Sequence, residues 1–348
     1  MNFMGIKVGL WPYGPDMDKA GDRRRFGFYA KERNIDFEIA SIDKEYDIIY
    51  LTMGCNISDW LTYKKRYPDA KLVFEIVDSC FLQDLNFFTR SRGIIRWMAG
   101  KESKFYLNYQ SAITSMLKSA DAIVCSSATQ KDFIVQYNDN VHISLDYFLN
   151  DITHKKTSFT TQKKLKLVWE GQAYTVNNLV GLKDVLKKLE DKIELHVITD
   201  PDLVFPFKIF NKKTSSILSH IQCKYYFYPW EKESFSKIIS EMDLAIIPID
   251  SHNALHWHKP ENKLLLFWQI GIPVLTSNTP AYTQAINKAG LPFLCSSSQD
   301  WIQKIEEYIE MKENQRAKYA AKANDYIQNN HTKEIILQKW DKIFSSLY

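Results

Sequence analysis

The polar stretch His-Trp-His-Lys-Pro-Glu-Asn-Lys that ends at Lys263 has the residue types of a site for an anion with several oxygens. Lys259 and Lys263 supply two positive charges, and Pro260 suits the first turn of a helix, where its missing N–H costs nothing. The backbone amides near Glu261, Asn262 and Lys263 would then point at a ligand in front of the helix. A diphosphate fits this arrangement better than a single carboxylate. The alternative is a solvated helix start that carries lysines by chance.

Two apolar runs flank this stretch and would position it. Residues 244–249 form a continuous apolar run of the kind that a strand buried on both faces needs, and a second run opens at residue 273, after a helix stop at Gly271. The polar loop and the helix start therefore lie between two buried strands, which is the architecture of a phosphate site.

The same alternation of short apolar runs and amphipathic segments extends along the whole chain, which predicts parallel sheets covered by helices. Residues 150–164 interrupt it, because they lose apolar periodicity and are rich in Thr, Lys and Ser, as expected of an exposed connection. We predict an α/β protein with a first domain over residues 1–155 and a second over residues 165–325. Both are expected to be Rossmann-like, with parallel sheets that face a central cleft. Strand and helix predictions are as follows: strands at 6–10, 48–52, 72–76, 122–125, 165–169, 194–198 and 224–228; helices at 23–33, 109–119, 178–189 and 233–241; a mostly helical tail at 300–348.

Composition excludes several classes of protein. The chain has 348 residues, 45% of them hydrophobic and 25% charged, as in a soluble globular protein. No apolar run approaches the roughly eighteen residues of a membrane span, and the N-terminus lacks a signal-peptide pattern, so we expect a cytoplasmic protein. Five scattered cysteines without metal-site spacing fit a reducing compartment. A net charge of +4 gives no argument for nucleic acid as a partner.

A glycine turn follows the first strand of the second half. Gly171 comes after Leu-Lys-Leu-Val-Trp-Glu and precedes Gln172, so the backbone there could approach a phosphate at the carboxyl end of the sheet. A single glycine after a strand can equally be an ordinary turn residue.

The segments LVWEG, ELHVITD, YYFYPW, MDLAIIPID and KPENKLLLFWQIGIPVLTS, in this order, resemble the nucleotide-sugar domain of GT-B glycosyltransferases. The resemblance is to the large retaining glycosyltransferase family 4, which includes sucrose and glycogen synthases. It implies that Gly171 and Gln172 form the glycine loop and that Tyr228 and Trp230 form the base-binding turn. The final helix, at about 325–348, would pack back on the first domain.

The family's usual pair of glutamates is absent. The resemblance aligns them with His258 and Leu266, and neither is a carboxylate. The chain instead resembles a variant with a Lys-x-x-Asn-Lys pattern, which implies phosphate and sugar contacts from Lys259, Asn262 and Lys263. Glu261 is the substitute candidate for ribose recognition.

The chemistry implied by the resemblance is sugar transfer without a metal or another cofactor, with retention of anomeric configuration. A helix N-terminus and ammonium groups can stabilise the leaving diphosphate. We take Lys263 and His258 as candidate catalytic residues on the donor side. Asp78, after a strand of the first half, is the carboxylate expected near the acceptor, unless it is a helix cap or a turn residue. A metal cluster of His252, His256 and His258 is disfavoured, because their spacing does not place three imidazoles on one helix face.

The run Arg23, Arg24 and Arg25 follows the first strand and opens the first predicted helix. Three cations at a helix start oppose the helix dipole, so they predict an acceptor bearing phosphate or carboxylate. The alternative is a solvated arginine face with salt bridges.

Residues 87–109 mix aromatic and basic residues, a composition suited to anionic lipid headgroups. They therefore predict a peripheral contact with the inner face of a membrane. An amphipathic helix that packs its apolar side on the core would have the same composition.

The sequence thus predicts a glycosyltransferase (EC 2.4, hexosyltransferase-like) that moves a sugar from a nucleotide-sugar to a glycan or lipid-linked acceptor in surface polysaccharide or glycolipid assembly. A GT-B sugar-nucleotide epimerase would need a paired acid and base, which these residues do not supply. The alternative from another class is a non-catalytic GT-B subunit that binds a partner or glycan and supports another transferase.

Overall fold

A computed structural model describes residues 5–77, 87–204 and 211–348. The chain divides into two compact units, and neither is a single continuous segment. The first unit comprises Met1–Tyr147, Ala254–Pro260 and Lys333–Tyr348, and the second comprises Phe148–Asn253 and Glu261–Thr332. The predicted candidate Asp78 lies outside the described residues.

The first unit is built on a six-stranded parallel sheet with the strand order β2-β1-β3-β4-β5-β6. Its strands are β1 Val8–Trp11, β2 Phe37–Ile39, β3 Ile48–Thr52, β4 Lys71–Ile76, β5 Ala122–Cys125 and β6 Val141–Ile143. Its helices are α1 Ala20–Arg24, α2 Phe26–Arg33, α3 Ile57–Arg66, α4 Phe87–Met98, α5 Tyr109–Ser119, α6 Ala128–Ile134, α11 Ala254–Trp257 and α16 Lys333–Ser345. Every residue of β3 and β5 is buried, as expected for parallel strands covered on both faces.

The second unit contains another six-stranded parallel sheet, with the strand order β11-β8-β7-β12-β13-β14. Its strands are β7 Leu165–Glu170, β8 Ile193–Thr199, β11 Tyr225–Pro229, β12 Leu244–Ile247, β13 Val274–Ser277 and β14 Leu294–Cys295, with an antiparallel pair β9 Asp202–Val204 and β10 Asn211–Lys213. Its helices are α7 Val176–Val180, α8 Lys183–Lys188, α9 Thr214–Leu218, α10 Phe235–Ser240, α12 Asn262–Ile270, α13 Pro280–Lys288, α14 Ser298–Glu310 and α15 Glu313–Asn330. The predicted α/β class with two Rossmann-like parallel sheets is confirmed.

Two predicted helices differ from the structure. The helix expected at 23–33 is broken at Arg25, whose backbone (φ −121°, ψ −117°) is not helical, so α1 and α2 are separate. The helix expected at 178–189 is divided between α7 and α8. Periodicity alone did not reveal either break.

The predicted connection at residues 150–164 contains no helix or strand, but hydrogen bonds hold it to the second unit. The Lys156 amide donates to the Ile270 carbonyl at 2.8 Å, and the buried Arg316 guanidinium donates to the Phe159 carbonyl at 3.2 Å. This segment therefore follows the surface of the second unit and belongs to it.

The last helix, α16, completes the core of the first unit. The Trp340 ring stacks on Tyr29 with centroids 5.6 Å apart, and Phe344 stacks on the same Tyr29 ring at 5.3 Å. Asp341, between them in sequence, accepts hydrogen bonds from the Tyr29 hydroxyl at 3.0 Å and from Arg33. An aromatic cluster and a charged pair thus attach the end of the chain to α2.

We expect Trp340→Ala to destabilise the protein by about 3 to 5 kcal/mol, because it removes a large, fully buried ring and leaves a cavity. Tyr348→Ala is the matched control, since its side chain is 72% exposed; we expect a change of about 0.5 kcal/mol or less. Urea unfolding followed by circular dichroism measures both. Equal midpoints for Trp340→Ala and the parent protein would show that α16 contributes little to the core.

Candidate functional site

The helix that follows the polar stretch is buried along most of its length. It begins at Asn262, with Glu261 as N-cap, and its residues from Leu264 to Ile270 are all buried. The helix ends at Gly271, whose φ of +92° is a left-handed conformation that favours glycine. Pro260 directly precedes the N-cap and so lies two positions before the first helical residue, outside the first turn where the sequence predicted it. The positive end of the helix dipole is thus fixed by core packing.

Lys263, in the first turn of α12, turns its side chain towards the end of β7. Its ammonium donates a hydrogen bond to the Glu170 carbonyl and lies 3.8 Å from a Glu170 carboxylate oxygen. The same ammonium sits 5.2 Å from the centre of the Trp169 ring, a cation–π distance. Three groups on one strand end therefore hold this cation, whose side chain remains 25% exposed.

Gly171 leaves the space that the Lys263 ammonium occupies. A Cβ at this position would lie 2.5 Å from the Lys263 Nζ and 2.8 Å from the Trp169 ring. The Gly171 amide donates to the Ile198 carbonyl at 3.1 Å, so the turn is fixed to β8. The structure therefore brings together two predicted site residues that lie far apart in sequence, Gly171 and Lys263. Gln172, the next predicted residue, is exposed, and its carbonyl accepts from the Thr175 amide at 2.9 Å.

The predicted base-binding turn follows β11. The Trp230 amide donates to the Thr199 carbonyl at 3.1 Å, and its ring stacks on Phe235 with centroids 5.6 Å apart. Tyr228 shares a hydrogen bond of 3.1 Å with His196, and burial raises the pKa of its hydroxyl. Because Ile198 and Thr199 are adjacent, the end of β8 joins this turn to the Gly171 turn.

Glu261 and Leu266 occupy different environments on α12. Glu261 is half-buried at the N-cap, and its carboxylate adds to the effect of burial in raising the pKa of Tyr282. Leu266 is only 5% exposed and belongs to the core. The position that the sequence resemblance aligns with a carboxylate is thus filled by apolar packing in this protein.

The other half of the polar stretch belongs to the first unit. The division of the chain assigns His258 and Lys259 to the first unit, and Glu261, Asn262 and Lys263 to the second. The Ser127 hydroxyl donates to the His258 carbonyl at 3.4 Å, and burial lowers the pKa of the His258 imidazole. Within the described ranges, no group of three His, Cys, Asp or Glu side chains could hold a metal ion.

The three consecutive arginines have different surroundings. Arg23 and Arg24 are half-buried, and Arg23 donates to the Asp18 carbonyl at 3.1 Å. Arg25 is only 1% exposed: its guanidinium pairs with Glu75 and, at 3.1 Å, with Asp146. The expectation that all three face an acceptor is therefore corrected for Arg25, whose charge is used inside the first unit.

Sequence reasoning missed two carboxylates that the structure places beside predicted residues. Glu75 accepts from Arg25 and from the Tyr13 hydroxyl, at 2.9 Å for the tyrosine, and Glu170 holds Lys263. Each is the single acid of its strand and lies at or next to the last residue of that strand. A buried carboxylate requires a positively charged or hydrogen-bonding partner. A single acid in a buried strand was therefore the sequence feature that could have indicated these two residues.

Comparison with solved structures supplies relatives of this architecture, although no family model and no curated protein matches the sequence. HepE of Anabaena, solved in complex with UDP, gives a TM-score of 0.66 at 13% identity over 98% of this chain and 100% of that one. WaaG, a glycosyltransferase involved in lipopolysaccharide biosynthesis, gives 0.57 at 12% identity over 97% and 98%. TarM of S. aureus gives 0.58 at 11% identity over 85% of this chain. This chain spans about half of TarM, 54% of its length.

The chain has the GT-B fold. The resemblance expected from the sequence is confirmed at this level. In GT-B terms, the Gly171 turn, the end of β8 and the start of α12 belong to the carboxyl edge of the second sheet, where open parallel sheets bind ligands.

We expect Gly171→Ala to lower the free energy of unfolding by about 1 to 3 kcal/mol, because the added methyl group would clash with the Lys263 ammonium and the Trp169 ring. Gly54→Ala is the matched control, since its Cβ would meet only the Thr52 hydroxyl, at 3.9 Å. Urea unfolding of both variants measures the effect. An unchanged midpoint in Gly171→Ala would contradict the close packing of the lysine against this turn.

Proposed function

We propose that the protein is a glycosyltransferase whose second unit binds a nucleotide-sugar donor. The observation that carries this proposal is the Lys263 ammonium, held at the Gly171 turn beside the N-terminus of a buried helix. A cation, a close backbone turn and a helix dipole together suit a diphosphate. Solved structures with this fold include one in complex with UDP and a glycosyltransferase, which supports the donor class.

The proposed role of Lys263 is to stabilise the leaving diphosphate. Charge accumulates on the phosphate oxygens as the sugar–oxygen bond breaks, and a positioned ammonium lowers the energy of that state without a metal. Glu170 holds the ammonium in place before the ligand arrives. Gly171, Gln172, Asn262 and the turn at Tyr228 and Trp230 are proposed as the other donor contacts.

The finer parts of the proposal come from the family resemblance. They are transfer with retention, without a metal ion or another cofactor, of a hexosyl group to a glycan or lipid-linked acceptor in surface polysaccharide or glycolipid assembly. Arg23 and Arg24 are proposed acceptor contacts in the first unit. The place of action would be the cytoplasmic face of a membrane.

We expect Lys263→Ala to lower the affinity for UDP about ten- to a hundredfold, since a charge-assisted hydrogen bond contributes on the order of 1.5 to 3 kcal/mol. Lys237→Ala, an exposed lysine on α10, is the matched control. Thermal shift with UDP, GDP, ADP and CDP, each with and without a chelator, gives the base preference and the metal dependence. If Lys263→Ala bound the preferred nucleotide as well as the parent protein, the donor site would lie elsewhere.

A non-catalytic GT-B subunit is the competing function, and the buried Leu266 is the observation that favours it, because the site lacks the usual carboxylate. Release of nucleoside diphosphate from a bound sugar nucleotide separates the two. Binding without hydrolysis of the donor, and without transfer to membrane extracts, would favour the non-catalytic function.

For the acceptor side, we expect Arg23→Gln with Arg24→Gln to raise the KM for an anionic acceptor about tenfold, because two cations that attract it are removed. Nucleotide affinity should stay unchanged. Initial rates at varied acceptor concentration, together with UDP titration, measure both. Equal losses for donor and acceptor would indicate a folding defect and remove these arginines from the acceptor site.

A further inference from the structure

The segment after the start of α4 exposes an unusual number of large apolar side chains. We call Ile95, Trp97, Met98, Phe105 and Leu107 the apolar tip. Their exposed fractions are 41, 47, 75, 50 and 73%. In the described part of the chain, five of the eleven exposed large hydrophobic residues thus lie within thirteen positions. Exposed apolar residues are ordinary when scattered, whereas a concentration of them marks an interaction surface.

The backbone folds back on itself at this tip. Helix α4 ends at Met98, and Gly100, with φ of +66°, reverses the chain. The Lys101 amide donates to the Arg96 carbonyl at 2.8 Å, which closes the helix end. The returning chain brings the Phe105 ring against the Trp97 ring, edge to face, with centroids 5.5 Å apart. Aromatic residues from both legs of the turn therefore share one surface.

The side of this segment that faces the protein is polar and buried. An ordinary surface helix instead buries its apolar side and exposes its polar side. Glu102, 2% exposed, pairs with Arg96 at 3.0 Å and accepts from the Ser58 amide at 3.2 Å, at the start of α3. The Arg96 guanidinium also lies 4.8 Å from the centre of the Tyr109 ring. Because this network fixes the segment through its charged residues, the apolar side chains are directed outwards by the fold. The apolar side of α4 is thus not packed entirely on the core, which was the alternative prediction.

The charges around the tip identify what would cover it. Lys101 and Lys104 are exposed, and neither forms an ion pair with any residue in the described ranges. Between residues 92 and 107 the sequence contains a single acid, Glu102, which is buried and paired with Arg96. Apolar and aromatic side chains beside exposed lysines match the interface of an anionic lipid bilayer.

We propose that the apolar tip, with Lys101 and Lys104, docks this protein on a bilayer that contains anionic lipids. A symmetric contact with a second copy is less favourable, because it would bring the same lysines of both copies together without acids between them. The docking surface does not depend on the transfer reaction, and it would bring a lipid-linked acceptor within reach of the first unit.

Co-sedimentation with vesicles of phosphatidylcholine and phosphatidylglycerol in about equal parts tests the proposal. The parent protein should bind these vesicles about tenfold or more tightly than vesicles of phosphatidylcholine alone, and added salt should release it. Trp97→Ser with Met98→Ser should weaken binding about tenfold, through lost apolar insertion. Lys101→Gln with Lys104→Gln should weaken binding to the anionic vesicles by a similar factor.

Matched controls use residues of the same types elsewhere on the protein. Ile39→Ser with Ile42→Ser changes two exposed apolar residues, and Lys312→Gln with Lys318→Gln changes two exposed lysines. Both pairs should bind anionic vesicles as the parent protein does. Thermal unfolding and UDP binding of every variant, measured without vesicles, show that each is folded and has an intact donor site.

Three results would overturn the proposal. The first is no binding of the parent protein to anionic vesicles at low salt. The second is an equal loss of binding in the tip variants and the controls. The third is a concentration-dependent dimer, seen by light scattering, that the Trp97→Ser and Met98→Ser changes abolish, because the tip would then be a contact between two copies.

Discussion

The contact between the Lys263 ammonium and the end of β7 constrains the second unit more than any other interaction at the candidate site. The ammonium contacts a backbone carbonyl, a carboxylate and an aromatic ring, so it needs space beside the end of the strand. Only glycine at the next position leaves that space, because a Cβ there would clash with the ammonium. The strand must therefore be followed by Gly171. The helix that carries the lysine must begin at the same edge, and its seven buried residues hold it there.

The first unit also has a cation near the carboxyl edge of its sheet, but this cation is buried and paired with carboxylates. Arg25 lies between Glu75 and Asp146 at the break that separates α1 from α2. A buried pair of this kind contributes little net stability compared with apolar packing, although losing one partner is costly. It is better understood as fixing geometry, because the residue that binds both carboxylates is the one at which α1 ends and α2 begins.

Much of the fold could be predicted from the sequence, since buried parallel strands are continuous apolar runs. The predicted strands at 48–52 and 122–125 coincide with β3 and β5, whereas β2, a short and largely exposed edge strand, has no such run. For the site, Gly171 and Lys263 were identified as separate motifs, and only strand order explains why they meet. The three arginines look alike in sequence. What distinguishes Arg25 is its contact with residues 50 and 121 positions away, which no local pattern contains.

Long-range packing also decided where the polar stretch was divided. His258 and Lys259 lie in the first unit and Lys263 in the second, although only a few residues separate them. Local composition describes this stretch as one motif, because residue types carry no information about which core a loop will join.

The path of the chain passes between the two units four times, at residues 147–148, 253–254, 260–261 and 332–333. Neither unit can therefore be obtained by cutting the chain once, and the linker suggested by composition is not a boundary at which the protein separates into halves. During synthesis, Trp340 and Phe344 are made after every residue of the second unit, so the Tyr29 ring lacks these two partners until the second unit has been synthesised. Completion of the first unit is thus tied to completion of the second, and a ribosome that stalls in α15 leaves the earliest-made core open.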